Sequence, residues 1–312
     1  MKNAYRQTTP DGNPQDFSSI INRMKTWATA SLVNKQKYIE YSQHLKDLNS
    51  LQDISALLSG MLSLNIFPNT VIINQLIKKM NQLKQIHFAL ELHGIAAKRE
   101  IANAITYAST ITAIAKSATP DANRALRLFD EAKRLGLADA ITYNSTITAI
   151  AKIATPDANL EEFAFLLLDE ATGRFNRPDM THGSPIDLHD LSYGEVYFGL
   201  KRRLNTEVKK INAGEINLPI IYGRGLHSYA RFSASVHPLK EAVIRVMGEM
   251  SAQGVSGKEN TDNPGRFDLI INPLSLQLSR LGLNSIFSGT KKTNLNPNAN
   301  PFVPGKFSGN GI

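Results

Sequence analysis

The chain has 312 residues, 42% hydrophobic and 20% charged, a balance that excludes wholesale disorder and leaves room for one large domain or two to three smaller ones. It contains no cysteine, which excludes a disulfide scaffold, Cys-ligated zinc, an iron–sulfur cluster and a cysteine nucleophile. The formal net charge is +8, and Arg280, Lys291, Lys292 and Lys306, in a last stretch without acids, supply half of that excess, so the total does not by itself mark a basic binding face.

Residues 1–34 read as an N-terminal extension, partly helical. Met1–Arg6 runs directly into the polar Thr8-Thr9-Pro10-Asp11-Gly12, without the apolar core of a secretory signal, and Asp11 and Asp16 argue against an organellar transit peptide. No apolar run approaches the ~18 residues that would span a membrane. The expectation is a cytoplasmic protein without a membrane partner.

An internal repeat organises the next stretch. Ile105–Lys116 (ITYASTITAIAK) and Ile141–Lys152 (ITYNSTITAIAK) differ only at Ala108 against Asn144, at an offset of 36 residues. The TPDAN that follows recurs at the same offset, and the LFDEA ending at Ala132 returns as LLDEA ending at Ala171. A period in the range of ~20–50 residues means a stacked array. Each unit reads as two helices. Tyr143, Ile147 and Ile150 share one face of the first, and Ala125, Leu128, Phe129 and Ala132 one face of the second. Thr119-Pro120-Asp121 reads as a helix start with Thr119 as the hydroxyl cap, and Gly136 as the stop. Fainter copies upstream give four units, at about 35–69, 70–103, 104–139 and 140–179. One unit cannot bury its own apolar face, so the units must stack.

Tetratricopeptide units of this length open on Trp and Leu-Gly, which are missing here. The Thr-Tyr-Asn at the first helix, Phe-Asp-Glu-Ala in the second and Pro-Asp or Pro-Asn at the exit resemble the pentatricopeptide (PPR) family over residues 35–180. The resemblance implies one nucleotide of single-stranded RNA per unit, with DNA as the alternative. It further implies that the base is read by the residue after the Tyr position and the last residue of the unit. These are Asn144 with Asp179, Ala108 with Asp139, Asn74 with Asn103, and Ile39 with Asn69. An amide offers a donor and an acceptor to a base edge, whereas Ala108 and Ile39 offer neither. The plainer alternative is that Asn74 and Asn144 are solvated helix-start residues.

From Pro185 the pattern changes. Ile186–His189 alternates like a strand. Ser192-Tyr193-Gly194-Glu195 is a capping box opening a helix with Val196, Leu200, Leu204, Val208 and Ile211 on one face. Leu218–Tyr222 reads as a buried strand ending in Gly223-Arg224-Gly225, Pro238–Gln253 as a helix stopped by Gly254, and Gly265–Asn272 as a last strand. The order strand–helix–strand–helix–strand predicts an α/β sandwich over residues 184–273. The fold class is therefore α+α/β: an α-helical solenoid followed by a small α/β sandwich.

Ile186-Asp187-Leu188-His189-Asp190 and Tyr222-Gly223-Arg224-Gly225-Leu226-His227-Ser228 resemble the two motifs of the Smr (small MutS-related) nuclease module. Asp190 stands where that family has glycine, and Tyr222 where it has threonine. The resemblance implies an endonuclease of the Smr type, with Asp187 and His189 as catalytic residues. Bottom-up, an imidazole can act as general base or acid near neutral pH. Asp187, two residues earlier on the same strand face, could orient it or hold a divalent metal such as magnesium. The Gly223/Gly225 backbone can approach a phosphate closely, Arg224 can bind it with a planar fork, and His227 and Arg231 extend that surface. Alternatively, Asp187 and His189 only bond each other at a strand edge. His87, His93, His182 and His237 lack metal-ligand spacing and read as surface or core residues.

Leu274–Leu283 reads as a short helix, and the Asn-, Pro-, Gly- and Lys-rich tail to Ile312 as disordered. Three functions fit these patterns: a PPR–Smr endonuclease acting on RNA positioned by the repeats, a noncatalytic RNA clamp, and a protein–protein scaffold that uses the repeats or the tail.

Overall fold

The computed structural model describes residues 16–26, 35–210, 215–222, 238–263 and 265–272. Eleven α-helices and a mixed four-stranded sheet lie within them. The helices come first: α1 (Phe17–Thr26), α2 (Lys35–Asp47), α3 (Leu51–Ser63), α4 (Thr70–Gln82), α5 (Ile86–Lys98), α6 (Ala104–Ala115), α7 (Ala122–Arg134), α8 (Ala140–Ala151) and α9 (Ala158–Phe175). They alternate as paired first and second helices, with no strand between 35 and 180. The first helices α2, α4, α6 and α8 pack on one another in order, and each second helix closes against its own first helix.

The repeated sequence produces repeated ends. Asn69, Asn103 and Asp139 cap α4, α6 and α8, each accepting from the backbone N–H three residues on. In α6 and α8 the third helical residue, Thr106 or Thr142, bonds back to complete a capping box. The second helices α7 and α9 are capped by Asp121 and Asp157. Thr119 is therefore not the cap. A carboxylate caps at least as well as a hydroxyl, and the residue before a proline is pushed to extended geometry, so the helix starts beyond Pro120. Gly136 stops α7 with φ +71°, a left-handed conformation that suits a residue without Cβ.

Tyr107 and Tyr143 occupy equivalent buried positions, and Tyr143 donates to Glu170 Oε1 at 2.6 Å while Lys133 pairs with Glu170 at 2.7 Å. Units three and four are thus tied by the Lys133–Glu170 ion pair and by the Tyr143 ring, which meets Phe129 edge-on with centroids 4.8 Å apart. The N-terminal α1 buries Phe17, Ile20, Ile21 and Met24 against α3 and α5.

The sheet-forming part contributes β1 (Ile186–Asp187), α10 (Tyr193–Lys209), β2 (Ile216–Ile221), α11 (Pro238–Glu249), a 3₁₀ turn at Ser251–Gln253, β3 (Val255–Glu259) and β4 (Arg266–Ile271), in the sheet order β1-β2-β4-β3. β1 is parallel to β2, and the other pairings are antiparallel. Two expectations need correction. β3 was not foreseen, because Val255-Ser256-Gly257-Lys258-Glu259 holds one apolar residue and glycine in mid-strand. It forms an edge strand, and a Cβ on Gly257 would lie 2.7 Å from the carbonyl of Asp268 on β4. The helix expected over 238–253 ends at Glu249, and Gly254, with φ +80°, turns the chain into β3. Leu274–Leu283 and the tail lie outside the described residues.

Helix α10 packs on α8 and α9 as well as on α11. One continuous apolar core runs from Tyr107 and Ile147 through Phe198 and Leu200 to Leu218 and Leu269. The sheet-forming part is therefore docked on α8 and α9 through α10.

Candidate nucleic-acid interface

The first helices line up their N-terminal ends. Asn74 Nδ2 donates to Asn103 Oδ1 at 3.1 Å, and Thr106 Oγ1 donates to Asn74 Oδ1 at 2.7 Å. The residue after the Tyr position and the last residue of unit two are thus brought together, with Asn103 serving at once as partner and helix cap. They border a cavity of about 650 Å³ whose wall includes Thr70, Lys78 and Ile105.

Sequence reasoning missed a second feature of the same place. Val71, Ile105 and Ile141 are 56%, 58% and 59% exposed, each two residues after its helix cap. A single exposed apolar residue needs no explanation, but the same one in three successive units forms a row. The available signal was these positions' departure from the buried helical face.

The other units differ. Ala108 is buried, and Asp139 is committed to capping α8. Ile39 is exposed and Asn69 caps α4. In unit four, Asn144 Oδ1 is buried without a hydrogen-bond partner among the described residues. Asp179 turns away from it and accepts from the Thr181 hydroxyl at 2.6 Å and the Thr181 amide at 2.8 Å, which lower its pKa. Asn144 and Asp179 are therefore not paired as Asn74 and Asn103 are. The reason lies in the path of the chain: after Asp179 it does not enter a first helix at once, as after Asn103 and Asp139, but runs into β1 before α10.

At the end of β1 the Asp187 and His189 side chains meet in the open, 62% and 57% exposed. His189 Nδ1 lies 2.5 Å from Asp187 Oδ1, which also accepts from the His189 amide at 2.9 Å. Desolvation works against the Asp187 charge, but the two bonds from His189 and its nearby charge outweigh it, so the Asp187 pKa is lowered. A carboxylate can only accept, so in the neutral imidazole the proton between them sits on Nδ1 and Nε2 carries the lone pair.

β1 pairs in parallel with β2, Ile186 opposite Ile220 and Asp187 opposite Ile221, and Leu188 N–H bonds the Ile221 carbonyl at 2.8 Å. Both strands thus end at one edge. Gly223, Arg224, Gly225, His227 and Arg231 follow β2 and lie outside the described residues, as does His237.

Asp190 has φ +63°, which Asp tolerates better than most residues and glycine better still. Arg177 holds this turn: it bonds the Asp190 carbonyl and pairs with the buried Glu195 at 2.8 Å. Tyr222 is buried, and its hydroxyl donates to Glu259 at 2.6 Å; burial and that bond push its pKa up. Its hydroxyl is therefore committed to β3, on the far side of β4 from β1. Among the described residues no three His, Asp or Glu side chains gather to hold a metal ion, and no helix is long and apolar enough to cross a membrane. Compared with known proteins, the chain matches no family model and no curated sequence.

Proposed function

We propose that this protein is a PPR–Smr-type RNA-binding endonuclease: the helical units hold a single-stranded RNA, and the Asp187–His189 couple cleaves a phosphodiester at the sheet edge. The observation that carries the reading is that couple, exposed where β1 and β2 end together, with Nδ1 of His189 held by Asp187.

Supporting it from the repeat side are the Asn74–Asn103 pair and the exposed Val71, Ile105 and Ile141. A flat base seated between two such apolar side chains would bury surface on both faces while its edge met the amides. Stacking of that kind tolerates any base, and the amide supplies the choice.

In the reaction, His189 Nε2 takes the proton from the attacking oxygen as the bond to phosphorus forms. Asp187 fixes the ring and stabilises the imidazolium, and as the bond from phosphorus to the leaving oxygen breaks that oxygen takes a proton from a water molecule, the imidazolium later returning its own proton to solvent. The Gly223-Arg224-Gly225 segment would receive the phosphate oxygens. A magnesium ion at Asp187 would add charge neutralisation on the phosphate.

The test is purified protein with labelled single-stranded RNA and DNA, with and without magnesium, scored separately for binding and cleavage. Binding with cleavage of RNA supports the reading; binding without cleavage under any metal leaves a clamp; neither activity leaves a scaffold.

A further inference from the structure

The stacking register carries one step further. Thr112 of α6 and Thr148 of α8 are equivalent, 36 residues apart. Thr112 Oγ1 meets Ser145 Oγ of the next first helix at 2.7 Å. Thr148 Oγ1 accepts from the Gly194 amide at 3.2 Å, so Gly194 of α10 fills the place that Ser145 fills in α8. α10 is thus the first helix of a fifth layer.

That layer begins late. Ser145 lies six residues after the cap Asp139, but Gly194 only two after the cap Ser192. The difference of four residues is about one helical turn, some 6 Å. The turn that carries exposed Ile141 in layer four is missing from layer five. The chain reaches α10 there through Leu188–Leu191, closed by a Leu191 N–H to Leu188 carbonyl bond of 3.3 Å, and this segment carries His189 and Asp190.

The fifth layer is anchored rather than tethered. The Arg245 guanidinium from α11 bonds the carbonyls of Ala151 and, at 2.7 Å, Ile153, at the negative end of α8. Lys201 pairs with Glu161 at 3.0 Å, and Arg202 with Asp169. A Cβ on Gly194 would stand 2.5 Å from the Thr148 nitrogen, so this approach is as close as the backbone allows.

We infer that α10 sets the cleavage register: His189 stands in the row of Val71, Ile105 and Ile141, one layer on, and addresses the phosphodiester immediately beyond the nucleotide held at Asn144. The inference rests on the proposed RNA reading and adds a fixed distance to it. Cut position then follows from the stack, not from a sequence preference of the sheet edge.

The absence of native cysteine makes the test direct. An iron–EDTA probe is tethered at His189→Cys, which removes the protein's own cleavage, and separately at Ile105→Cys and Ile141→Cys in a His189→Ala background. All three positions are exposed. Each is mixed with one end-labelled single-stranded RNA, and the radical scission is mapped. The expected result is a one-nucleotide step from the Ile105 to the Ile141 probe and one more, in the same direction, to the His189 probe. A regular first step with any other displacement, or with scattered scission, at the third overturns the register and leaves the RNA reading standing. No step between the first two probes, or no binding of the RNA by the parent protein, overturns the RNA reading and the register together.

Discussion

Asn74 and Asn103 lie 3.1 Å apart, so the amide that would read a base in unit two is held in place by the cap of unit three. Asn74→Ala is expected to weaken binding of a short single-stranded RNA by ~1–3 kcal/mol, measured by fluorescence anisotropy. Asn103→Ala should weaken it comparably and also lower stability by about 1 kcal/mol in urea unfolding, because it removes a helix cap. Equal binding by Asn74→Ala and the parent would reduce the pair to helix-end scaffolding.

Asn144 gives the opposite sign for stability. Its Oδ1 is buried without a partner among the described residues, so Asn144→Ala removes an acceptor left unpaired there. Thermal unfolding of the variant should match or exceed that of the parent, while affinity for a uracil-containing strand falls by ~1–3 kcal/mol. A clear loss of stability would mean that the amide serves the fold.

His189→Ala should cut RNA cleavage by roughly 10²–10⁴-fold with binding nearly unchanged. Asp187→Asn should slow cleavage too, because an amide can donate to Nδ1 and thereby favour the tautomer with its proton on Nε2. A His189→Ala variant that cleaves at the parental rate would remove the reaction from this edge.

His93 is buried edge-on to Tyr107, its Nδ1 unpartnered among the described residues. Burial, the largest cause, lowers its pKa from the usual 6.5. The nearby Glu131 charge opposes this and Arg124 assists it. The unfolded chain therefore binds a proton more readily. Stability is full above pH ~6.5 and is lost as pH falls toward the folded value. Urea midpoints should drop between pH 7.5 and pH 5 in the parent, and less steeply in His93→Phe.

Gly194→Val forces a side chain against the Thr148 backbone and should cost ~1–3 kcal/mol in urea unfolding. Gly248→Ala on α11, where a Cβ meets nothing within 4 Å, is the control and should not destabilise. Parental stability of Gly194→Val would mean that α8 and α10 can separate freely.

The duplicated ITYxSTITAIAK was enough to give the paired helices, because helix periodicity and capping are local and the repeat states them twice. Ser192 and Glu195 were readable as a capping box for the same reason. Asp187 and His189 were readable as a pair from their spacing, but the strand ends at Asp187, and it is the turn that puts the His189 amide on Asp187 Oδ1, not a shared strand face, that brings them together. Three things depended on contacts distant in sequence. The edge strand β3 has little apolar signal of its own and exists by pairing with β4. The parting of Asn144 from Asp179 depends on where the chain goes after unit four. The largest is the place of α10. Its sequence states an amphipathic helix and a cap, but not a partner. Only the fit of Gly194 on Thr148 and of Arg245 on the end of α8 makes it a fifth layer, because packing selects among many apolar faces by shape, which periodicity does not encode.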